Sequence, residues 1–485
     1  ASPRLSDAYS DILKSTSWNQ YNHNFNATLL QETAFNSNSA GAFECWSSHY
    51  DRIRRENEFL RDAAEFGRKF GEDWLKIRIA EVRFCRAYAY FMLCRVYGGV
   101  ILRTEVDGPE QNDKARSTEE ECWGFIINEL KELAPDLPLK WDSDNSGRAT
   151  QKAAYGLLSR VALYAEKWDV AAQAARDCAT AEGNLDLSKN GYAKIFELGI
   201  NSPEVLFAVE FKSSVIDHAY DAYVRPSGDT KELGKQVYSG FVPTSELVDS
   251  YEMAGDGGNF SWEKHGKDPY ANREPRFYAT ILYNGADWMG RKIESFVGGK
   301  DGYKAYENAG AAGTTVTGYY LRKYLIDGDK TWVTSGSGQD WIVLRYAEVL
   351  LNKAEALAME NWNKNSAEAL QALNDVRARV GLPARATADK ETFLEYVRHE
   401  RKVELAGEGF RYWDLRRWRL AEKVIDGQNV HGVKISKQSD GSFTYEQVDA
   451  DGGHKRIFYD RYYRFAIPLS ERSNNSLCTN NDGWI

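Results

Sequence analysis

The chain has 485 residues, several times the roughly 100–150 of one domain, so more than one packing unit is expected. It is 42% hydrophobic and 27% charged, which excludes compositional disorder and leaves ample apolar material for a large core. Asp and Glu number 71 against 62 Lys and Arg, a net charge of −9, which argues against nucleic acid or an anionic membrane surface as the main partner.

In chain order, the N-terminal stretch carries aromatic and amide side chains without core periodicity. Trp18 and Asn24 stand in the first cluster, and Phe43, Trp46, His49 and Tyr50 in the second. Ile77, Ala80, Phe84, Ala87, Phe91 and Cys94 then recur at steps of three and four, the mark of one helical face. Gly98 and Gly99 end that helix, and the run Ser117-Thr118-Glu119-Glu120 has the form of a capping box opening a second helix through Leu133.

A third helix is predicted from Thr150 to Ala165, and a fourth carries Val170, Ala171, Ala174, Ala175 and Cys178. The plan recurs near the C-terminus. Leu344, Ala347, Leu350, Leu351, Ala354 and Ala358 form one stripe, and Leu370, Leu373 and Val376 another after Asn361-Trp362-Asn363. Ala-rich two-helix units of about 34 residues resemble tetratricopeptide repeats. Between the helical sections at 72–183 and 340–426 lies a stretch, 184–339, rich in Gly, Asp, Tyr and Trp. Its best strand candidate is residues 204–211. A second irregular segment, 427–485, opens with a hairpin pattern of its own. The fold class expected is mainly α: a tetratricopeptide-like helical-hairpin scaffold carrying a long irregular, partly β excursion. Long excursions of this kind are usually functional.

Catalytic signatures fail on inspection. His399-Glu400 begins like a zinc-protease helix, but position 403 is Val. Residues 142–147 imitate a calcium loop whose twelfth position would be Ala153, which cannot coordinate the ion. No phosphate loop, dinucleotide fingerprint or nucleophile elbow is present. Seven His and six Cys without a CxxC pair give no support to a metal site or a disulfide framework. The cysteines are expected as buried free thiols. No cofactor is expected.

What remains is loop-borne aromatic rings beside amides. A Trp or Tyr plane covers the C–H face of a pyranose while polar neighbours bond its hydroxyl rim. Trp18, Asn24, Trp46, Trp262, Tyr283, Trp288 and Trp332 are the candidate ligand contacts. Phe84, Tyr88, Phe91 and Tyr155, inside helical patterns, are assigned to packing. The densest charge pattern, residues 398–418, interleaves apolar side chains too tightly for a solvated face and reads as a partly buried ion network, with an anionic ligand site as the alternative.

That block, from Glu400 through Trp418, closely resembles the C-terminal signature of the SusD/RagB family of surface nutrient-binding lipoproteins. Further resemblance follows in order: residues 81–91 with Tyr97-Gly98, residues 148–158, residues 345–351 with 354–356, residues 372–377 with Gly381, then Ile467-Pro468 and residues 480–484. Ala466 and Ser476 stand where the family usually has Pro. The resemblance implies one SusD-like unit over 1–485 that captures an oligosaccharide or polysaccharide without hydrolysis. It implies delivery to a SusC-like TonB-dependent transporter, and an outer-membrane, cell-surface location through a lipid anchor on an N-terminal Cys. No Cys stands near position 1, so the anchor is expected outside this sequence. The competing readings are an all-α glycoside hydrolase, which needs two carboxylates facing across an aromatic cleft, and a tetratricopeptide-type adaptor for peptides.

Overall fold

The computed structural model describes residues 6–16, 35–108, 113–255, 257–305 and 314–484. The chain opens on a short strand, β1 (Leu13–Ser15), followed by α1 (Trp46–Phe66). This helix was not expected. Trp46, His49, Ile53 and Asn57 are among its buried side chains, and their spacing of three and four is a helical face hidden by the polar residues around it.

The expected helices follow. α2 is Glu72–Tyr97, closed by Gly98 at φ 74°. α3 is Glu119–Leu133, where the Thr118 hydroxyl accepts from the Glu121 N–H and the Glu121 carboxylate accepts from the Thr118 N–H. The box is thus Thr118/Glu121, one residue later than the pattern starting at Ser117. α4 (Gln151–Tyr164) is capped by Thr150, and α5 (Trp168–Thr180) and α6 (Gly191–Leu198) complete this half.

The middle section contributes β2 (Val205–Val209) and β3 (Phe241–Pro243), the latter paired with β1. β4 (Trp341–Arg345) pairs antiparallel with β2, setting Val209 opposite Trp341 and Val205 opposite Arg345. Arg345 leads directly into α7 (Tyr346–Arg379), which is broken at Asn361 (φ −164°, ψ 94°) into the two limbs expected of a hairpin. α8 (Lys390–Glu404) and α9 (Arg411–Arg417) follow, then a hairpin of β5 (His431–Lys437) and β6 (Phe443–Asp449).

Successive helices pack on one another from α1 to α5, and α5 packs on α7. The two helical sections therefore form one continuous stack although the whole middle section separates them in sequence. Ala154, Ala171, Ala172, Ala174, Ala354 and Ala358, all buried, line these contacts and let the helix axes approach. The middle section has a core of its own, in which Tyr192, Val205, Phe241, Tyr251, Phe277, Trp288, Tyr319 and Tyr320 meet Val433 and Ile435 of β5. Of the six cysteines, all free, Cys94, Cys122, Cys178 and Cys478 are buried, but Cys85 is exposed and Cys45 half-buried, which corrects the expectation for those two.

The two cores are joined by buried charge. Arg276, Lys323, Arg345, Arg377, Arg379 and Arg385 meet Glu204, Glu252, Glu274, Glu400, Glu404 and Glu408 in one connected network. Six cations balance six carboxylates. Glu404 accepts from Arg276 and Arg345 at 3.0 and 2.6 Å and also pairs with Arg379. Arg401, beside it, forms a two-pronged bond to Asp414 at 2.8 and 3.0 Å, tying α8 to α9.

Candidate functional site

Three of the nominated aromatics are interior side chains. Trp46 is 3% exposed; its ring lies 4.9 Å from Tyr50 and 5.2 Å from Tyr97, and its indole N–H donates to Glu471. Trp288 and Trp332, 0% and 1% exposed, clamp the guanidinium of Arg225 at 5.3 and 5.1 Å. Arg225 is itself held by Asp221 and Asp229, and Trp288 donates to Asp229 at 3.0 Å. These rings present no open face. The reason is physical: a loop without helical or strand period can still bury rings when several such loops pack together. Trp18 and Asn24 lie outside the described residues.

Trp262 and Tyr283 are brought together, half-buried, in one aromatic run. Trp262 stands 6.0 Å from Tyr445 of β6, Tyr445 is 5.8 Å from Tyr270, and Tyr270 is 4.6 Å from Tyr283. The Trp262 N–H donates to Asp249 at 2.9 Å. Burial raises the Asp249 carboxyl to about 6, against the lowering effect of that bond.

A cavity rich in aromatic rings lies elsewhere, in a cleft of about 570 Å³ between the helical stack and the β2–β4 ribbon. Alternation builds its first wall. Ile342 and Leu344 of β4 point into the cores, so Trp341 and Val343 face out. Phe211, just past β2, and His218 continue this wall, their rings 4.6 Å apart edge to face. The imidazole is fixed: its Nδ1 accepts from the Tyr220 N–H and its Nε2–H donates to the Gln339 carbonyl at 2.8 Å. Trp341 stacks on Tyr324 at 4.8 Å and 14°, so its outer face is held flat.

Tyr88, Met92 and Arg95 form the opposite wall, one α2 face at i, i+4 and i+7. Phe43 and Phe410 close the end. Phe43, Tyr88, Phe211, Trp341 and Phe410 are all half-buried. Tyr88, read from sequence as packing, does pack against the core of the stack and also lines the cleft. The two carboxylates lining the cleft are both engaged. Glu408 is paired with Arg345 and Lys323, which hold it below the usual range despite burial, and Glu44 accepts from Tyr97 Oη at 2.7 Å. Burial pushes the Cys45 thiol up to about 12, so it is no nucleophile.

A second, open aromatic platform stands on the helical stack. Phe66, Phe70 and Trp74, at 56%, 58% and 40% exposed, occupy the α1–α2 junction. The Arg78 guanidinium sits between the Trp74 and Trp141 rings at 5.7 and 5.4 Å, and Arg148 covers Trp141 at 5.3 Å. Glu81 bonds both arginines. The Trp141 loop packs against the end of β2 at Gly147 (φ +80°), where a Cβ would stand 1.9 Å from Glu210 Oε1. None of Trp74, Trp141, Phe211, Trp341 or Phe410 was selected from sequence. The alternation in Trp341-Ile-Val-Leu-Arg345 carried the signal for Trp341, and the glycines between Phe66, Phe70 and Trp74 carried it for the platform.

A sequence model described as "SusD family" matches residues 203–484, and one described as "Starch-binding associating with outer membrane" matches residues 2–163. A SusD-like protein of Bacteroides ovatus is 26% identical over 452 residues, covering 87% of this chain and 74% of that protein. Among solved structures, a SusD-like protein of Bacteroides fragilis superposes with TM-score 0.85 at 27% identity, over 99% of this chain and 93% of the other. A SusD-like carbohydrate binding protein of the same species superposes with TM-score 0.80 at 24% identity, over 97% and 92%.

Proposed function

The chain belongs to the SusD family, and from that premise we propose that it holds an oligosaccharide or polysaccharide at the cell surface without cleaving it. The observation that carries this is the cleft wall, where Trp341, Phe211 and Tyr88 offer partly open rings around a 570 Å³ space. Flat apolar faces with hydrogen-bonding edges suit pyranose rings. Both carboxylates in the cleft are tied up in ion pairs or hydrogen bonds, which supports binding rather than acid–base hydrolysis.

The match of residues 2–163 to a model of starch-binding, outer-membrane-associated proteins supports both the ligand class and the location. On the family resemblance, the bound glycan is passed to a SusC-like TonB-dependent transporter, and a lipid anchor tethers the protein. Of the sequence-nominated residues, Trp262 and Tyr283 keep a place as a secondary surface contact. Isothermal titration against a panel of plant, host and microbial polysaccharides tests the reading. At least one is expected to bind in the micromolar to millimolar range, about −8 to −4 kcal/mol, and to lose affinity in Trp341→Ala. Indifference of the wild-type chain to the whole panel refutes it, as does hydrolysis of a bound glycan.

A further inference from the structure

A second cavity, about 330 Å³, opens inside the helical stack between α3, α4, α7, α8 and α9, at the small end of the roughly 300–1,000 Å³ of ligand sites. Its lining is rich in arginine. Four of these are matched: Arg417 by Glu355 and Asp414, Arg464 by Glu119, Arg398 by Glu395 and Arg419, at longer range, by Asp460. Arg95 and Arg416 are not. Among the described residues neither has a carboxylate at ion-pair distance.

Arg416, 4% exposed, donates to the carbonyls of Tyr463 at 2.7 Å and Arg95 at 3.4 Å. Arg95 directs one guanidinium nitrogen at Met92 Sδ. The Nε of each is buried without an acceptor. Both groups lie over the Trp413 ring, at 4.2 and 4.7 Å. A guanidinium stays protonated in proteins, and taking it out of water without a counter-charge is costly. Here two are packed on one indole, with Arg464 nearby. Burial first, then Arg464 and Arg95, hold Arg416 down to about 10. The same burial lowers Arg95.

An oxyanion would relieve this arrangement by accepting the stranded N–H groups. At the rim stand two half-buried indoles, Trp168 and Trp418, which suit a sugar ring. We propose that this cavity is a subsite for an acidic sugar unit, a uronate or a sulfated residue, whose anionic group is held by Arg95 and Arg416. The proposal rests on the glycan-binding reading above and narrows its ligand to acidic chains. Arg95 and Trp413 also line the aromatic cleft, so the two cavities share a wall.

The test is titration of the full chain with four probes: an oligogalacturonate, a sulfated galactan oligosaccharide, a neutral gluco-oligosaccharide of equal length, and sodium sulfate alone. At least one acidic chain is expected to bind about tenfold or more tighter than the neutral one, and to weaken between about 50 and about 300 mM salt. Arg416→Gln should abolish that preference and Arg416→Lys keep part of it. Because Arg416 is buried and its variants can misfold, Trp168→Ala at the rim is the second variant, expected to lower acidic affinity severalfold. Trp341→Ala should weaken neutral and acidic chains alike and leave their ratio unchanged. Equal affinity for neutral and acidic chains overturns the subsite while leaving the cleft reading intact. So does an acidic preference that survives both Arg416→Gln and Trp168→Ala, or binding of sulfate with no acidic sugar. Acidic binding without any neutral binding upholds the subsite and counts against the cleft.

Discussion

Glu404→Gln is the sharpest probe of what seats the middle section on the helical stack. Glu404 is fully buried and serves three guanidinium groups: Arg276 from the middle section, Arg345 at the start of α7 and Arg379 at its end. Those arginines hold its carboxyl far below the usual range in spite of burial. The substitution preserves shape but removes one of six balancing negative charges, leaving the network with an excess cation. Breaking a buried pair from one side costs about 3–5 kcal/mol. At roughly 2.1 cal/mol/K per residue the unfolding entropy of this chain is about 1 kcal/mol/K, so Tm should fall by roughly 3–5 °C. Scanning calorimetry and urea titration followed by tryptophan fluorescence measure both quantities. Restoring neutrality with Arg379→Met in the same chain should recover part of the loss. A loss under about 1 kcal/mol, or a double variant worse than the sum of its parts, would refute the claim that charge balance at this junction stabilises the fold.

Trp288→Ala removes a fully buried indole and should cost about 3–5 kcal/mol of stability, read by denaturant titration. Glycan affinity should change little at temperatures where the variant stays folded. Trp341→Ala should do the reverse: a tenfold or greater affinity loss, about 1.4 kcal/mol, with little change in Tm. Asp7→Asn tests a pH dependence. Asp7 accepts from the N–H groups of Gly407, Gly409 and Arg411, and burial, outweighing those bonds, raises its carboxyl to about 7. Its folded pKa lies above the unfolded value of 3.8, so its stabilising contribution is complete below that value and fades as pH rises through 7. The variant should flatten stability against pH across this interval, measured by chemical denaturation at about pH 4, 5.5 and 7.

The sequence marked the helices of the stack from α2 onward, but not α1, whose buried face is hidden among polar residues. Steps of three and four at Ile77–Cys94, Ala154–Ala165 and Ala347–Ala358 are local properties, and the helices formed where they stood. Leu344, read as the start of the last stripe, lies instead in β4, where pairing with β2 holds the backbone extended. The ordered motifs from Glu81 to Trp484 pointed to the family that the comparison then matched over residues 203–484. The interleaved charges of residues 398–418 were readable as a network, but not its partners. Arg401 meets Asp414 rather than Glu404, because residues adjacent on a helix surface lose to better-placed groups brought in from α9 and the middle section. Which rings face a ligand was decided by tertiary structure alone. Trp46 looked like a loop ring until α1 turned it inward, and Trp288 and Trp332 looked open until Arg225 came between them. Trp341 entered the cleft only because β2, over a hundred residues earlier in the chain, fixed the register of β4. Periodicity reports which face of a local element is apolar; exposure is a property of what packs against it, and that partner is set by chain segments far away in sequence.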